Sequence, residues 1–159
     1  MKKIISALLL VLCLCGCSAK IITPVITTDF TLNAVYKTGD FSYECVIAKK
    51  DGVLSVSPTN TRASGMFITY DGRKVTFDRH SMSCSFDKAK IDPTNPAVVL
   101  YEVFSSAESM EPESVKMTDE GFRYSGKTTV GDYVLILNKD NSYKSIEIPD
   151  ADINIRFVY

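Results

Sequence analysis

The sequence "GDYVLILNKDNSYKSIEIPDADINIRF" (residues 131–157) contains three apolar segments that are separated by turn-forming residues. The last segment, 153–157, has an apolar side chain at every second position, which is typical of a strand with one buried face. The first, 133–137, is apolar on both faces, as expected of a central strand that a helix covers on one side. Because Lys139-Asp140-Asn141 and Pro149-Asp150 are turn sequences, the stretch predicts three consecutive antiparallel strands.

The same alternation of apolar and polar residues runs through most of the chain upstream, from Asp29 onward. The dipeptide Asp71-Gly72 favours a tight hairpin turn between two of these segments. The further predicted strands are "FTLNAVY" (30–36), "DFSYECVIA" (40–48), "VLSVS" (53–57), "GMFITY" (65–70), "RKVTFDR" (73–79), "SMSCSF" (81–86), "SVKM" (114–117) and "GFRYSGKTTV" (121–130).

One segment has helical rather than strand periodicity. Asn95 is a favourable N-cap, and Pro96 fits the first helical position, where its missing N–H is not needed. Because Pro112 disfavours a helical Glu111, the predicted helix spans about 96–109. Its apolar side chains form a single stripe, made of Ala97, Leu100, Tyr101, Phe104 and Ala107.

The pattern as a whole predicts a mainly β fold of the α+β class. We expect a curved antiparallel sheet that forms an unclosed half-barrel, with the one inserted helix packed on its concave face. No repeat or second domain is visible in the sequence, so residues 29–159 are predicted to form a single domain.

The N-terminus has the features of an export signal. Lys2 and Lys3 precede an uncharged apolar run, residues 4–16, which is shorter than the roughly 20 residues of a membrane-spanning helix. The end of this run, Leu14-Cys15-Gly16-Cys17, resembles the bacterial lipobox. The resemblance implies a signal peptide over residues 1–16, cleavage between Gly16 and Cys17, and diacylglycerol on the sulfur of Cys17.

The mature chain is then expected to be a lipoprotein on the extracytoplasmic face of the cell membrane. Several acyl chains on one residue, such as palmitate, give durable anchoring because each buried methylene contributes about 0.8 kcal/mol. Cys13 and Cys15 would be discarded with the signal, and residues 17–28 would form the lipidated end and its tether.

Two cysteines remain in the predicted domain, Cys45 and Cys84. An exported protein permits a disulfide between them. Both, however, lie on the apolar face of an alternating segment, and a buried free cysteine behaves as a small hydrophobic residue. The pattern favours two unpaired core thiols, with the disulfide as the alternative.

Charge and motifs argue against nucleic acid and nucleotide partners. The full chain has a net charge of −1, and loss of Lys2 and Lys3 brings it to −3, whereas nucleic-acid binding uses basic patches. Residues 121–128, "GFRYSGKT", match the phosphate-binding loop pattern, but Phe122, Arg123 and Tyr124 are bulky and favour a strand.

The sequence offers no grouping of residues that indicates catalysis or metal binding. His80 is the only histidine, and Arg79-His80-Ser81 is typical of a surface turn. A histidine-based zinc site or a Ser-His-Asp triad therefore lacks support, and the acidic residues in the turns lack the spacing of a calcium loop. We expect no enzyme activity, no metal and no cofactor apart from the covalent lipid.

The aromatic residues are the most suggestive feature for function. Eight Phe and eight Tyr occur without any Trp. Aromatic residues on strands usually form core, but an interior that the helix does not fill would leave an apolar cleft suited to small ligands or acyl chains. The candidate lining residues are Tyr43, Phe67, Tyr101, Phe104 and Ile136.

The lipobox, the order of strands and the run "GDY-x-L-x-L…S-x-E-I-P" (131–149) together resemble small lipoproteins of Firmicutes that have the Lol-type lipoprotein-carrier fold. This resemblance implies an unclosed β-barrel with a helix over an apolar cavity. Some members of that superfamily carry acyl chains, and others sense misassembled envelope proteins. No motif of the carrier aligns position by position with this chain, and the carrier's N-terminal helix has no counterpart here.

Two functions are therefore expected from the sequence. The first is a membrane-anchored, non-enzymatic protein that binds a lipid or acyl chain in the half-barrel cleft. The alternative is a cell-envelope lipoprotein whose interior is filled by its own side chains and whose surface recognises or senses another protein.

Substitution of Cys17 tests the anchor. In a bacterial host with the lipoprotein-processing enzymes, we expect Cys17→Ala to lose metabolic labelling by an alkyne palmitate, because no sulfur remains for acylation. Cys15→Ala is the matched control and should label as the wild type does. Undiminished labelling of the Cys17→Ala protein would contradict lipidation at this residue.

Overall fold

A computed structural model of the chain describes residues 24–159. The predicted signal peptide, the Gly16–Cys17 cleavage site and most of the predicted tether lie outside these residues. The described part is an eleven-stranded antiparallel sheet with one α-helix, α1 (Pro96–Glu108). The strands are β1 (Phe30–Thr38), β2 (Phe41–Lys50), β3 (Val53–Pro58), β4 (Met66–Tyr70), β5 (Lys74–Arg79), β6 (Met82–Asp87), β7 (Lys116–Thr118), β8 (Gly121–Thr128), β9 (Gly131–Leu137), β10 (Tyr143–Ile148) and β11 (Ile153–Val158).

The sheet consists of two meanders, one of strands β1 to β6 and one of strands β7 to β11, which are joined by pairing between β1 and β11. Its order is β6-β5-β4-β3-β2-β1-β11-β10-β9-β8-β7, so the first and last strands pair at its centre. This central pairing extends from Asn33 opposite Val158 to Thr38 opposite Ile153. β6 and β7 are left as the two edges, which confirms the predicted unclosed antiparallel sheet.

The helix connects these two edge strands and lies on the concave face. The side chain of Asn95 accepts a hydrogen bond from the N–H of Ala97 at 3.0 Å, and Pro96 is the first helical residue, as predicted. Glu108 rather than residue 109 is the last helical residue. The buried surface is wider than the predicted stripe because the curved sheet contacts the helix on several sides, and it also includes Val98, Val99 and Val103.

The two cysteines of the domain are unpaired, as favoured, but only one of them is buried. Cys45 lies on β2 and is 2% exposed. The prediction that Cys84 is a core residue is wrong, because every residue of β6 is exposed. β6 is the edge strand, and no described element covers either of its faces.

The segment that matches the phosphate-binding pattern is strand β8, as its bulky residues predicted. Its Gly126 is explained by packing, since a Cβ at this position would lie 2.7 Å from the ring of Tyr133 on β9. His80 lies in the exposed turn between β5 and β6 with a positive φ of 53°, in agreement with the predicted surface turn. None of the described helices has the length and hydropathy required to cross a bilayer.

Truncation of a buried aromatic residue tests the helix–sheet core. Phe104 of α1 is fully buried, and we expect Phe104→Ala to lower the free energy of unfolding by about 3–5 kcal/mol because it leaves a cavity. Phe67→Ala is the control, since Phe67 is 52% exposed and surface substitutions change stability by about 0.5 kcal/mol or less. Urea denaturation followed by circular dichroism measures both, and equal effects would contradict this packing.

Candidate functional site

The structure does not bring the five candidate cleft residues together. Phe104 is buried between sheet and helix, and Tyr101 is half-buried on the same helix. Tyr43 is buried on β2, where its ring packs against those of Tyr36 and Phe41. Phe67 and Ile136 alternate with the buried residues of β4 and β9 and therefore lie on the convex face. Ligand binding by these residues remains a prediction, and any such site would have to be divided between two faces of the sheet.

The aromatic residues on the concave side pack against one another. The ring of Phe104 lies 4.9 Å from that of Phe30 and 5.3 Å from that of Tyr143, measured between centroids. The ring of Tyr101 meets that of Tyr70 edge-on at 4.9 Å. Such tilted pairs stabilise a core beyond the apolar area that they bury. The space under the helix is thus occupied by side chains of the protein itself.

Glu102 of α1 binds both meanders to the helix. Its carboxylate accepts a hydrogen bond at 2.5 Å from the ammonium of Lys88, which follows β6, and hydrogen bonds at 2.7 Å from the N–H and the hydroxyl of Thr129, in the β8–β9 turn. Burial alone would raise the pKa of Glu102, but these bonds outweigh it and hold the pKa below the ordinary value. In return, the hydrogen bond to Glu102 raises the pKa of Lys88.

A second ion pair fixes the C-terminal end of the helix. Glu108, the last helical residue, bonds to Lys49 of β2, whose side chain is only 6% exposed. A lysine at this end also interacts favourably with the negative end of the helix dipole. Sequence analysis missed Lys49, Glu102 and Lys88, because a charged side chain in a strand or helix gives no signal of a partner far along the chain.

Two surface pockets lie outside the space between helix and sheet. One, of about 430 Å³, is on the convex side and is lined by Glu120, Lys144, Glu147 and Arg156 among others. A more apolar one, of about 410 Å³, lies beside the start of α1 and is lined by Lys88, Ala89, Ile91, Asp92, Pro93, Val98 and Thr129. Either is large enough for a small ligand, but neither is the cleft that the sequence suggested.

Two kinds of reactive group are relevant among the described residues, a nucleophilic thiol and a cluster of metal ligands. Burial raises the pKa of the Cys45 thiol to about 12, so this cysteine stays protonated at neutral pH and is a poor nucleophile. Within residues 24–159 no three His, Cys, Asp or Glu side chains are grouped in a way that could hold a metal ion.

The concave face is left uncovered at β6, where every residue is exposed. Phe86 pairs with Val75, Cys84 with Phe77, and Met82 with Arg79, so the three β6 side chains share the face that is buried elsewhere in the sheet. Met82 is 69% and Phe86 42% exposed. The cover of the concave face ends within β5, where Val75 is buried and Phe77 only partly buried. The apolar face of β6 is left exposed, beside a strand edge that has no neighbour among the described residues.

Scanning the chain against protein-family models found no matching family, and a search among curated proteins found no match. Its function therefore has to be inferred from the residues themselves.

The acid stability of the protein tests the bonds of Glu102. Because the folded-state pKa of Glu102 is lowered from 4.5, its ionisation contributes stability above that pH, and the contribution is lost as the pH falls below it. We expect Glu102→Gln to lower the free energy of unfolding at pH 7 by about 1–2 kcal/mol and to reduce the further loss below pH 4.5.

Glu113→Gln is the matched control, because Glu113 is exposed in the linker after α1. Denaturation series between pH 3 and pH 7 should leave this variant parallel to the wild type. If Glu102→Gln were also parallel to the wild type, Glu102 would not stabilise the fold through its charge.

Proposed function

We propose that this protein is a lipid-anchored, non-enzymatic protein of the cell envelope that recognises another polypeptide through the open edge of its sheet. The observation that carries the proposal is the occupied concave face. Val99, Leu100 and Phe104 have no exposed surface, so the place where an acyl chain would lie in a half-barrel is taken by the helix.

The open edge has what a polypeptide partner needs. β6 has main-chain N–H and C=O groups without a neighbouring strand in the described part, and the apolar side chains beside them are exposed. An extended segment that adds to such an edge gains main-chain hydrogen bonds for affinity and alternate side-chain contacts for specificity. The exposed Phe86 and Met82 are the side chains that it would contact.

Binding of a small apolar ligand is the second candidate, and the apolar pocket beside the start of α1 favours it. This pocket of about 410 Å³ is lined by Ile91, Pro93 and Val98 among others. Its volume is within the range of small-ligand sites. An acyl chain that enters it would lie outside the helix–sheet core.

Photo-crosslinking in the native membrane tests the proposal. We expect p-benzoylphenylalanine at Phe86 to give discrete crosslinked products that contain a polypeptide. The same probe at Phe67, which is similarly exposed but on the convex face, is the matched control and should give none of these products.

The contrary outcomes are distinct. Absence of any product at Phe86, or identical products at both positions, would contradict recognition through the edge. A stoichiometric bound lipid in native mass spectrometry of the purified protein, together with no product at Phe86, would favour the second candidate.

A further inference from the structure

The free hydrogen-bonding groups of β6 belong to alternate residues. Arg79 and Met82 close the two-residue turn between β5 and β6, and the N–H of Lys88 donates to the carbonyl of Arg73 at 3.0 Å. These contacts determine which residue pairs of the two strands are hydrogen-bonded. The main-chain groups of Met82, Cys84 and Phe86 therefore bond to β5. Those of Ser83 and Ser85 therefore point away from the sheet.

This edge lacks the usual protection against pairing. Residues 81–86, "SMSCSF", contain no charge, proline or glycine. Edge strands are usually short, charged or interrupted, which prevents contact with another strand. The opposite edge, β7, has these features, since it is only three residues long and begins with Lys116.

The sequence of β6 is nearly symmetric about Cys84. In an antiparallel pair of two identical strands related by a two-fold axis through Cys84, Met82 lies opposite Phe86 of the second copy. Ser83 then lies opposite Ser85 of the second copy, and these serines exchange the free main-chain hydrogen bonds. All large apolar side chains meet on the concave face and all hydroxyls on the convex face.

Neighbouring registers are less complementary. An axis through Ser85 places Met82 opposite the charged Lys88, and one through Ser83 pairs only three residues of the strand. A shift by a single residue would place apolar side chains opposite hydroxyls on the wrong face. Within residues 82–86 the register about Cys84 brings no two like charges together.

We infer that the partner recognised by the β6 edge is a second copy of this chain, paired antiparallel about a two-fold axis through Cys84. This inference rests on the proposed function and specifies its partner. It predicts one continuous sheet across two copies, because β6 of each copy becomes the neighbour of the other.

The contact is small, and its strength depends on how the chains are presented. Five residues at about 3.4 Å each give a strand pair about 17 Å long, at the low end of specific interfaces. Chains that are anchored in one membrane have a raised local concentration, which strengthens such weak contacts. The association is therefore expected in membranes and only weakly in dilute detergent.

Cys84 reports on the register. A pair of residues whose main-chain groups point away from each other has a Cα separation of about 4.5 Å, within the range of about 4.4–6.8 Å that a disulfide spans. Each chain has one Cys84, so a Cys84–Cys84 bond can only join two copies.

The experiment oxidises the full-length protein in its membrane with diamide. Two Cys84 thiols lose two protons and two electrons as the S–S bond forms, and the N=N bond of diamide takes them up to give the hydrazine. Trypsin cuts after Arg79 and Lys88. The expected product is therefore residues 80–88 linked to the same peptide, identified by mass spectrometry and lost in Cys84→Ser.

Two variants separate pairing from random collision. Ser85→Pro removes an N–H that points away from the sheet, which an edge strand tolerates, and should lower the linked peptide by about tenfold or more. Ser85→Ala keeps the N–H and should remain within about twofold of the wild type. Phe67→Cys in the Cys84→Ser background places a thiol at an exposed position of the convex face and should not link.

Equal linkage through position 67, or no effect of Ser85→Pro in a protein with wild-type circular dichroism, would overturn the inference. If Cys84 does not link while the probe at Phe86 captures a different protein, the inference fails and the proposed function stands. If neither forms a product, both fail.

Discussion

An open antiparallel sheet must cover its apolar concave face, and in this protein the cover is the chain segment that connects its two edge strands. α1 follows β6 and precedes β7, so it has to cross from one edge of the sheet to the other. Phe104 and Leu100 are fully buried along that path. The charged ends of Glu102 and Glu108 then fix the helix to both meanders and to β2. The order of the strands in the sheet therefore also determines where the helix lies.

This constraint determines where the protein can interact. A half-barrel whose interior is filled by its own aromatic and aliphatic side chains has no space left for cargo at that place, because close-packed cores contain few voids. The helix is only 13 residues long, however, and the cover ends within β5, so that every residue of β6 is exposed. The apolar residues that remain exposed there, Met82 and Phe86, are therefore a consequence of the same geometry that fills the interior.

Much of the fold is predictable from the sequence because its main signals are local. Alternation indicates the strands, Asp71-Gly72 a hairpin turn, and Asn95-Pro96 the start of the helix, each within a few residues. The burial of Cys84 was predicted wrongly, since alternation shows that one face is apolar but not whether another element covers it. The candidate cleft residues Phe67 and Ile136 failed to join the others for a similar reason, because the face that becomes concave is set by pairing between distant strands. The partners of Glu102 lie 14 and 27 residues away, and no periodic pattern relates them.

A comparison of the two edge strands shows why β6, rather than β7, is the candidate contact surface. Both edges carry main-chain groups that have no neighbouring strand among residues 24–159, and an edge that lacks charge can pair with other exposed strands. β7 is protected by its short length and by Lys116. β6 has twice as many residues, and its only charged side chain is Asp87 at its C-terminal end. On the other side, Arg79 ends β5 just before the turn that leads into β6. Those flanking charges limit the length over which a second strand can pair, while the symmetric pattern between them matches one register. An edge that is restricted in extent and register but left open at its centre has the properties of a specific contact.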